Sequence, residues 1–389
     1  MREFRAQRMR PVEASGTVKT ADVVAKLKAQ GKEVISFSVG EPDFPTPQHI
    51  CNAASEAMFQ GYTHYTSSFG LPALREEIAR KSREENEIPA EAKHVLVTPA
   101  KQAIFETLLA CIDPGDEVVV TDPAWVSYDP IIKMAGGRPV PVTVEAHKDF
   151  RMMPEDVAAV ITPKTKLIIA NSPNNPTGSV LRESDVKGIC DLAKDKDVWV
   201  LSDEIYEKIL YEGKHLSFAA QPGMFERTVT VNGFSKAYAM TGWRLGWLVA
   251  PEPAMAEISK IQQHSITHCT SFAMMGGLAA LKGTQSFVKE MAQEFQARRD
   301  LIVDGLNKIP GFHCVRPKGA FYVFPSYDFH MNSQEFTDHL LEHAGVAVTA
   351  GSSFGRRGEG HVRISYANSR ANLQKGLERI AEACKRLGG

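Results

Sequence analysis

The sequence predicts an α/β protein with a large domain, built on a mostly parallel sheet flanked by helices, and a smaller α/β domain. The first observation is that short β-branched segments alternate with helix-length segments from Val34 to Ala250. The second is that long helical periodicity replaces this alternation after Pro251. The third is size, because 389 residues, 43% of them hydrophobic, can bury a sizeable core.

Six segments of the first part have the length and composition of buried strands. Because helix-length segments separate them, they predict βαβ crossovers and a mostly parallel sheet that is covered on both faces. In such sheets, functional residues collect at the carboxyl ends of the strands. The predicted strands are 94–98, 117–121, 166–170, 198–202, 228–231 and 245–250.

Helices are predicted from the spacing of apolar residues. After the strand at 94–98, for example, Ile104, Leu108 and Ile112 recur on one helix face, and the turn sequence at 113–116 ends the pattern. The C-terminal part contains predicted helices at 253–264, 286–308, 333–344 and 370–387, and predicted strands at 320–324, 347–349 and 361–365. The predicted domains are an N-terminal arm contributing to the small domain (1–45), a large domain (46–285) and a small domain (286–389).

Composition excludes several classes of partner. The chain has 45 basic and 46 acidic residues, so its net charge of -1 gives no general attraction for nucleic acid. No apolar stretch approaches the roughly 20 residues that span a bilayer, so no membrane association is expected. The segment 1–11 is rich in arginine but lacks the apolar core of a secretory signal, and it is interpreted as a solvated arm.

The cysteines indicate the redox environment. The six cysteines form no CxxC pair, and most have apolar neighbours in the sequence, where a free thiol packs as a small hydrophobic group. We therefore expect reduced thiols and a cytoplasmic protein.

The most informative segment for chemistry is 231–246, with the sequence VNGFSKAYAMTGWRLG. Lys236 follows a predicted strand through a short turn, which places its amine at a strand end. A lysine that acts as a Schiff-base nucleophile must lose its proton below the usual pKa of about 10.4, and desolvation or nearby cations achieve this. Ser235 and Arg244 can bind one phosphate group together. The segment therefore predicts an amine beside an anion site.

Asp203 follows directly after the predicted strand at 198–202. A carboxylate at that strand end can be the buried counter-ion of a protonated ring nitrogen, the partner that pyridoxal phosphate requires as an electron sink. Tyr206, three residues later, could bind a ring hydroxyl. The alternative is that Asp203 only caps a helix N-terminus.

Two further loops follow predicted strands. The polar, proline-rich sequence NSPNNPTG at 171–178 indicates a shaped loop, in which Asn175 could donate a hydrogen bond to a cofactor oxygen. The segment 98–102 leads from a strand into a helix, where free backbone amides favour a phosphate. Pro99 has no amide hydrogen, so Ala100 and Lys101 would have to supply the donors.

In combination, these motifs resemble the class I pyridoxal-phosphate-dependent aminotransferases of fold type I, in the bacterial and archaeal aspartate/aromatic branch. The resemblance extends over nearly the whole chain, through VGEPDF at 39–44, SPNNPTG at 172–178, SK at 235–236 and RISYA at 363–367. It implies a seven-stranded sheet in the large domain and a homodimer with shared sites. It also implies a ping-pong transfer of an amino group, with aspartate as the favoured donor and 2-oxoglutarate as the acceptor.

The resemblance also implies roles for individual residues around pyridoxal 5'-phosphate. Lys236 would form the Schiff base and then shuttle a proton between the substrate Cα and the cofactor. Asp203 would pair with the pyridine nitrogen, and Tyr206 and Asn175 would bind the 3′ oxygen. Trp125 would stack on the cofactor ring. The phosphate would be held by Ala100, Lys101, Ser235, Arg244 and, from the neighbouring subunit, Tyr65.

For the substrate, the resemblance implies that Arg363 clamps the α-carboxylate and that Gly40 closes over it, with Trp125 and Asn175 also lining the site. Lys101 would bind a distal carboxylate. Ser15 and Thr17 would line the same pocket. The alternative for Lys101 is a role beside the phosphate only. The segment 265–277 contains no arginine of the kind that another branch uses for dicarboxylates, which leaves that specificity open.

Several other functions remain as alternatives. An aromatic amino acid or prephenate aminotransferase is the nearest, followed by a β-lyase of the same fold and by a non-catalytic regulator. A regulator is disfavoured because only about 30 residues precede the first strand, too few for a DNA-binding domain. No metal site is expected, because the histidine pairs 264/268 and 339/343 have no evident third ligand.

Overall fold

A computed structural model of the chain describes residues 3–14 and 16–387, without the side chains of residues 17 and 18. Numbered in chain order, its helices are α1 (Gly16–Ala29), α2 (Gln48–Phe59), α3 (Pro72–Asn86), α4 (Ala100–Cys111), α5 (Tyr128–Met134), α6 (Pro154–Ala158), α7 (Glu183–Asp195), α8 (Phe234–Ala237), α9 (Glu252–His264), α10 (Ser271–Lys282), α11 (Ser286–Leu306), α12 (Ser333–His339) and α13 (Arg370–Lys385). None of the helices in this described part is both long and apolar enough to cross a membrane.

The strands form one large and three small sheets. They are β1 (Ile35–Ser36), β2 (Val95–Val97), β3 (Glu117–Asp122), β4 (Arg138–Thr143), β5 (Thr165–Asn171), β6 (Trp199–Asp203), β7 (Thr228–Gly233), β8 (Gly246–Val249), β9 (Phe312–His313), β10 (Tyr322–Val323), β11 (Ser326–Tyr327), β12 (Val346–Ala347), β13 (Thr349–Ala350) and β14 (Val362–Ser365).

The large sheet has seven strands in the order β2-β8-β7-β6-β5-β3-β4. Of these seven strands, β8 alone runs in the direction opposite to the others, so the predicted mostly parallel α/β fold is confirmed. Six of the seven strands were predicted, and the seventh, β4, was not. β4 contains Pro139 and Pro141, which cannot donate ladder hydrogen bonds, and its position at the sheet edge tolerates them.

Both faces of this sheet are buried because successive side chains of a strand point in opposite directions. On one face, Val118, Leu167 and Leu201 pack with residues of α4, α5 and α9. On the other face, Val119 and Ile168 pack with residues of α7. The central strands are thus held between two apolar layers, and their carboxyl ends are fixed in position.

A separate apolar core contains residues of α11, α12, α13 and the short strands β10 and β14. Phe295 of α11 is fully buried there, with its ring centroid 5.5 Å from that of Phe44 and 5.2 Å from that of Phe321. Tyr206, from the turn after β6, belongs to the same core. This core therefore joins the C-terminal helices to one end of the large sheet. The division at 45 and 285 stays a prediction.

The helix predicted at 333–344 is not one regular α-helix. The α-helix ends at His339, and a π-helical turn continues the chain from Leu340 to Ala344. Gly345 then adopts a left-handed conformation, with a φ of 62°, and ends the turn.

We expect the substitution Phe295→Ala to lower the free energy of unfolding by about 3–5 kcal/mol, because it removes a fully buried ring and leaves a cavity. Gln293→Ala is the matched control, since Gln293 is exposed on the same helix. It should change stability by less than about 0.5 kcal/mol. Denaturant unfolding of both variants measures the difference, and similar losses would contradict this account of the core.

Candidate active site

Three neighbouring strands of the large sheet end at the same edge. The pairing registers place Asn171 at the end of β5 beside Asp203 at the end of β6, and Asp203 beside Val231 of β7. The helix α8 starts directly after β7 and carries Lys236. Because the strands are parallel, these polar residues meet at one edge, where ligands bind in α/β sheets.

The Lys236 amine is held among backbone and aromatic groups. Its Nζ donates a hydrogen bond to the carbonyl oxygen of Gly40 at 2.6 Å, and it lies 5.9 Å from the ring centroids of Tyr206 and Phe321. Burial lowers the pKa of Lys236 to about 8, and the charges of Arg363 and Arg244 act in the same direction. A large fraction of this amine is therefore neutral at a mildly alkaline pH, as a nucleophile or base requires.

Asp203 is buried and is bonded to uncharged donors. The Tyr128 hydroxyl donates to its Oδ2 at 2.7 Å, and the amide of Ile205 donates to its Oδ1 at 3.3 Å. Burial raises the pKa of Asp203 to about 6, although both hydrogen bonds act to lower it. The carboxylate is therefore a strong candidate partner for a cationic group on a ligand.

Arg363 of β14 is buried opposite these strand ends. Its Nη1 donates to Oδ1 of Asn175 at 3.0 Å, and its Nη2 donates to the carbonyl oxygen of Ser38 at 2.6 Å. Its guanidinium lies 4.6 Å from the ring centroid of Tyr322 and 4.9 Å from that of Phe354. Within the described residues, the buried Nε has no hydrogen-bond partner. A guanidinium with a free donor is suited to bind a carboxylate.

Asn175 and Asn171 connect Arg363 to Asp203. The amide of Asn175 donates to Oδ1 of Asn171 at 3.0 Å, and Nδ2 of Asn171 donates to the carbonyl oxygen of Asp203 at 2.9 Å. The loop after β5 therefore fixes the distance between the buried cation and the buried carboxylate. Asn171 had not been predicted as a site residue, although it begins the polar segment in which Asn175 was identified.

Tyr206 and Tyr322 form a buried hydroxyl pair. Their oxygen atoms are 2.8 Å apart, and burial raises the pKa of both phenols. A Cβ atom at Gly40 would lie 2.6 Å from the Tyr322 hydroxyl, so the close approach of this segment requires glycine. Tyr322 was not predicted, because an aromatic residue in the segment GAFYVF is typical of a buried strand.

The predicted anion site lies at the N-terminus of α4. Ala100 is its first residue, and no side chain caps the helix there. A Cβ atom at Gly246 would lie 3.0 Å from the amide nitrogen of Ala100, so β8 packs directly against this helix end. An uncapped N-terminus offers free amide donors and a favourable dipole to an anion.

Lys101 and Arg244 bring positive charge to this helix end. Burial lowers the pKa of Lys101, and the charge of Arg244 lowers it further. The Lys101 ammonium lies 4.9 Å from the ring centroid of Trp125. Arg244 has a left-handed φ of 54°, which is uncommon for a residue with a side chain. Ser235 lies in α8, one residue before Lys236.

A cleft of about 1400 Å³ borders the site. Trp125 and Phe354 line it, and the same two rings contact Lys101 and Arg363 respectively. Pro11, Glu13 and Gly16 from the N-terminal part of the chain also line it. The side chains of Ser15 and Thr17, which were predicted to line a substrate pocket, lie outside the described residues.

Tyr65 is on the surface of the chain. Its side chain is 90% exposed, and its ring packs edge-on against His268 with the centroids 5.7 Å apart. Asp203, Asn175 and Lys236 lie at the strand ends of the large sheet, and Ala100 and Lys101 lie at the N-terminus of α4.

Comparisons with known proteins identify the family of this chain. The family model described as aminotransferase class I and II matches residues 32–380. This chain belongs to that family. An aspartate aminotransferase of Musicola paradisiaca is 45% identical over 383 residues, which cover 97% of this chain and 96% of that protein. The aromatic-amino-acid aminotransferase 2 of Thermococcus litoralis is 42% identical over 364 residues, which cover 92% and 93%.

The solved structures agree as well. Aspartate aminotransferase from Thermus thermophilus with maleate superimposes on this aminotransferase with a TM-score of 0.94. The two chains are 40% identical, and the match covers 98% of this chain and 100% of the other. The predicted family and its transaminase activity are therefore confirmed.

The lowered pKa of Lys236 leads to a prediction for the ligand-free aminotransferase. Labelling of Lys236 with an amine reagent, followed by mass spectrometry across a pH series, should give a midpoint near pH 8. Glu41→Gln should lower that midpoint, because the Glu41 charge raises the pKa of Lys236. A midpoint near the usual lysine value of about 10.4 would contradict the description of this site.

The hydroxyl pair leads to a second prediction. Tyr322→Phe leaves the buried hydroxyl of Tyr206 without this partner, and we expect it to lower the free energy of unfolding by about 1–3 kcal/mol. In the control Tyr366→Phe, the hydroxyl of Tyr211 keeps its bond to the Ala320 carbonyl, so the loss should be smaller. Denaturant unfolding compares the two variants. Equal losses in the free energy of unfolding would contradict the stabilising role given to the hydrogen bond between Tyr206 and Tyr322.

Proposed function

We propose that this aminotransferase uses pyridoxal 5'-phosphate to transfer the α-amino group of aspartate to 2-oxoglutarate by a ping-pong mechanism. The observation that carries the proposal is that Lys236, with its pKa lowered to about 8, shares one site with the buried groups of Asp203 and Arg363. An amine, a carboxylate and a guanidinium are the groups that amino-acid chemistry on a pyridine cofactor requires.

The residues present fit this cofactor. The uncapped N-terminus of α4, with Ser235 and Arg244 nearby in the fold, offers amide, hydroxyl and guanidinium donors to its phosphate. Asp203 is buried where it can balance a protonated ring nitrogen, and Tyr206 and Asn175 can bind the ring oxygen. Trp125 provides an aromatic surface beside Lys101. Tyr65 of the partner subunit would complete the phosphate site.

When bound, pyridoxal 5'-phosphate supplies an aldehyde that captures amines and a ring that accepts electrons released from the substrate Cα. The protein supplies the proton chemistry. Nζ of Lys236 would hold the cofactor and would then move the Cα proton, which a lysine can do when its pKa lies near the working pH. Asp203 keeps a proton on the ring nitrogen, because its buried negative charge favours the protonated form.

The substrate is oriented by its carboxylates. Arg363 binds the α-carboxylate through its free donor, and Gly40 and Asn175 border the same position. Lys101 binds the distal carboxylate of aspartate. The names of the relatives support this substrate, since the protein from M. paradisiaca and the Thermus structure are both aspartate aminotransferases.

An aromatic donor is the second candidate. The relative from T. litoralis is named an aromatic-amino-acid aminotransferase, and the Trp125 ring lines a cleft that could admit a large side chain. Prephenate is a further candidate, as an acceptor 2-oxo acid, and the second carboxylate on its ring could meet Lys101 as that of aspartate would. Lys101 is the residue that distinguishes aspartate from an aromatic donor, because only a substrate with a distal carboxylate would use its charge.

The active unit that we propose is a homodimer. Phe59 and Tyr65 are each 90% exposed and lie six positions apart, and exposed apolar surface of this kind marks an interface. A dimer would bring Tyr65 to the phosphate site of the other subunit. The six cysteines are all free, which supports function in the reducing cytoplasm.

The test is a visible absorption titration of the protein with pyridoxal 5'-phosphate and without any keto acid. Aspartate, tyrosine and glutamate are added separately, and the loss of the aldehyde-form band is followed. We expect conversion at the lowest concentration with aspartate. Lys101→Met should raise the aspartate concentration for half conversion by roughly 10- to 100-fold, the effect of losing one hydrogen bond between charged groups, and should leave tyrosine unchanged.

The controls separate cofactor binding from substrate choice. Lys236→Met should abolish the conversion, whereas Lys260→Met, which removes an exposed lysine, should have no effect. Conversion by tyrosine but not by aspartate would replace aspartate with an aromatic donor. A wild-type protein that shows no cofactor band would refute the proposed cofactor.

A further inference from the structure

The turn after β6 carries acidic residues on two sides. Asp203 and Tyr206 belong to the active site, while Glu204 and Glu207 are directed into a buried group of charges behind it. The turn is fixed by backbone hydrogen bonds from the Glu204 amide to the Val231 carbonyl at 2.8 Å and from the Glu207 amide to the Glu204 carbonyl at 2.9 Å. These bonds fix the backbone of the turn directly after Asp203.

Glu204 is only 1% exposed, and both of its carboxylate oxygens are bonded. Oε1 accepts a hydrogen bond from the Ser202 hydroxyl at 2.8 Å. Oε2 accepts from the Ser217 hydroxyl at 2.5 Å and lies 3.0 Å from Nε2 of His215. A buried carboxylate with three partners in place is held in one orientation.

Glu204 belongs to a buried group of charged residues that we call the rear charge cluster. The cluster consists of Lys81, Glu85, Glu204, Glu207, Lys208 and His215. Lys81 contacts Glu207 directly and lies 3.7 Å from Glu85, which in turn contacts Lys208. Three carboxylates thus face two ammonium groups, and the charges cancel only when His215 is protonated.

The environment of His215 favours that protonated form. Burial acts to lower the pKa of His215, but the charge and hydrogen bond of Glu204, together with the charge of Glu207, outweigh it and raise the pKa, while Lys81 opposes them. The Glu204, Glu207 and His215 side chains are also close enough together to bind a metal ion. Lys81 and the two serines already satisfy these carboxylates, so the arrangement does not call for one.

We propose that Glu204 is a positioning residue for the reaction: it fixes the turn that carries Asp203 and places a negative charge behind it, with protonated His215 as its counter-ion. This inference rests on the proposed function, because Asp203 acts on a bound cofactor ring. A second negative charge behind Asp203 strengthens the field that holds a proton on the ring nitrogen. The pKa of Asp203 is itself raised in part by the Glu204 charge.

The test uses the holoenzyme and the pH at which its visible cofactor band changes. Glu204→Gln removes a negative charge, so the cofactor should lose its proton more easily and the transition should move to lower pH. His215→Gln removes a positive charge, so the transition should move to higher pH. Each shift should be roughly 0.5–1 pH unit, and the two must have opposite signs. General structural damage would not produce opposite signs.

Kinetics give a second readout. Glu204→Gln should lower kcat by roughly 10-fold or more while the KM for the amino donor changes by less than about 2-fold, because Arg363 is not part of the rear charge cluster. Glu84→Gln is the matched control, since Glu84 is an exposed carboxylate on α3, the helix that carries Lys81. It should shift neither the spectroscopic transition nor kcat.

The outcomes separate this inference from the proposed function. A wild-type protein without a cofactor band refutes the proposed function. A normal wild-type band with no shift in Glu204→Gln, or with shifts of one sign in both variants, overturns the role of Glu204. An NMR titration of His215 in the wild-type holoenzyme does not depend on the folding of any variant. A neutral imidazole at pH 6.5 there would overturn the counter-ion assignment.

Discussion

The site depends on burying ionisable groups without pairing them with one another. Among the described residues, Asp203, Lys236 and Arg363 form no salt bridge. Their hydrogen-bond partners are uncharged: the Tyr128 hydroxyl, the Gly40 carbonyl and the Asn175 amide. Such partners satisfy the geometry of a charged group but leave its charge available to a ligand, at a cost in desolvation that the rest of the fold must offset.

The fold holds these ionisable groups in fixed positions. The carboxyl ends of β5, β6 and β7 come from the centre of a sheet that is buried on both faces, so Asn171 and Asp203 have fixed positions. Arg363 and Tyr322 come from the short strands β14 and β10 of the second core. Tyr206 contributes to that core from the large sheet. The site therefore exists only where the two cores are assembled against each other.

The charges in front of and behind the β6 turn are arranged differently. In front, Asp203 has only neutral donors, and its pKa rises to about 6. Behind, Lys81 is paired with Glu207, and the pKa of Glu207 falls to about 2, because Lys81, His215 and Lys208 outweigh the effect of burial. The paired charges are suited to hold the turn, and the unpaired one is suited to act on a ligand. The turn 203–207 therefore carries both a carboxylate available to a ligand and the paired charges that hold the turn in place.

The sequence alone predicted much of the large sheet and most of the site. Strand–helix alternation identified six of the seven strands, and the residues after those strands included Asp203, Asn175 and Lys236. The pattern did not identify β4, whose prolines are tolerated only because it lies at an edge. It also did not identify Tyr128, Asn171, Tyr322 or the rear charge cluster, since these residues look like ordinary core or surface positions in the sequence.

The physical reason for this division is the range of the interactions. Periodicity and turn residues are local, so the sequence by itself determined the class of fold and which strand ends carry reactive groups. Hydrogen bonds such as Arg363 to Asn175 join positions 188 residues apart, and the burial that sets the pKa values of Lys236 and Asp203 arises only after packing. Partners, pKa values and the balance of buried charge were therefore decided by the tertiary structure.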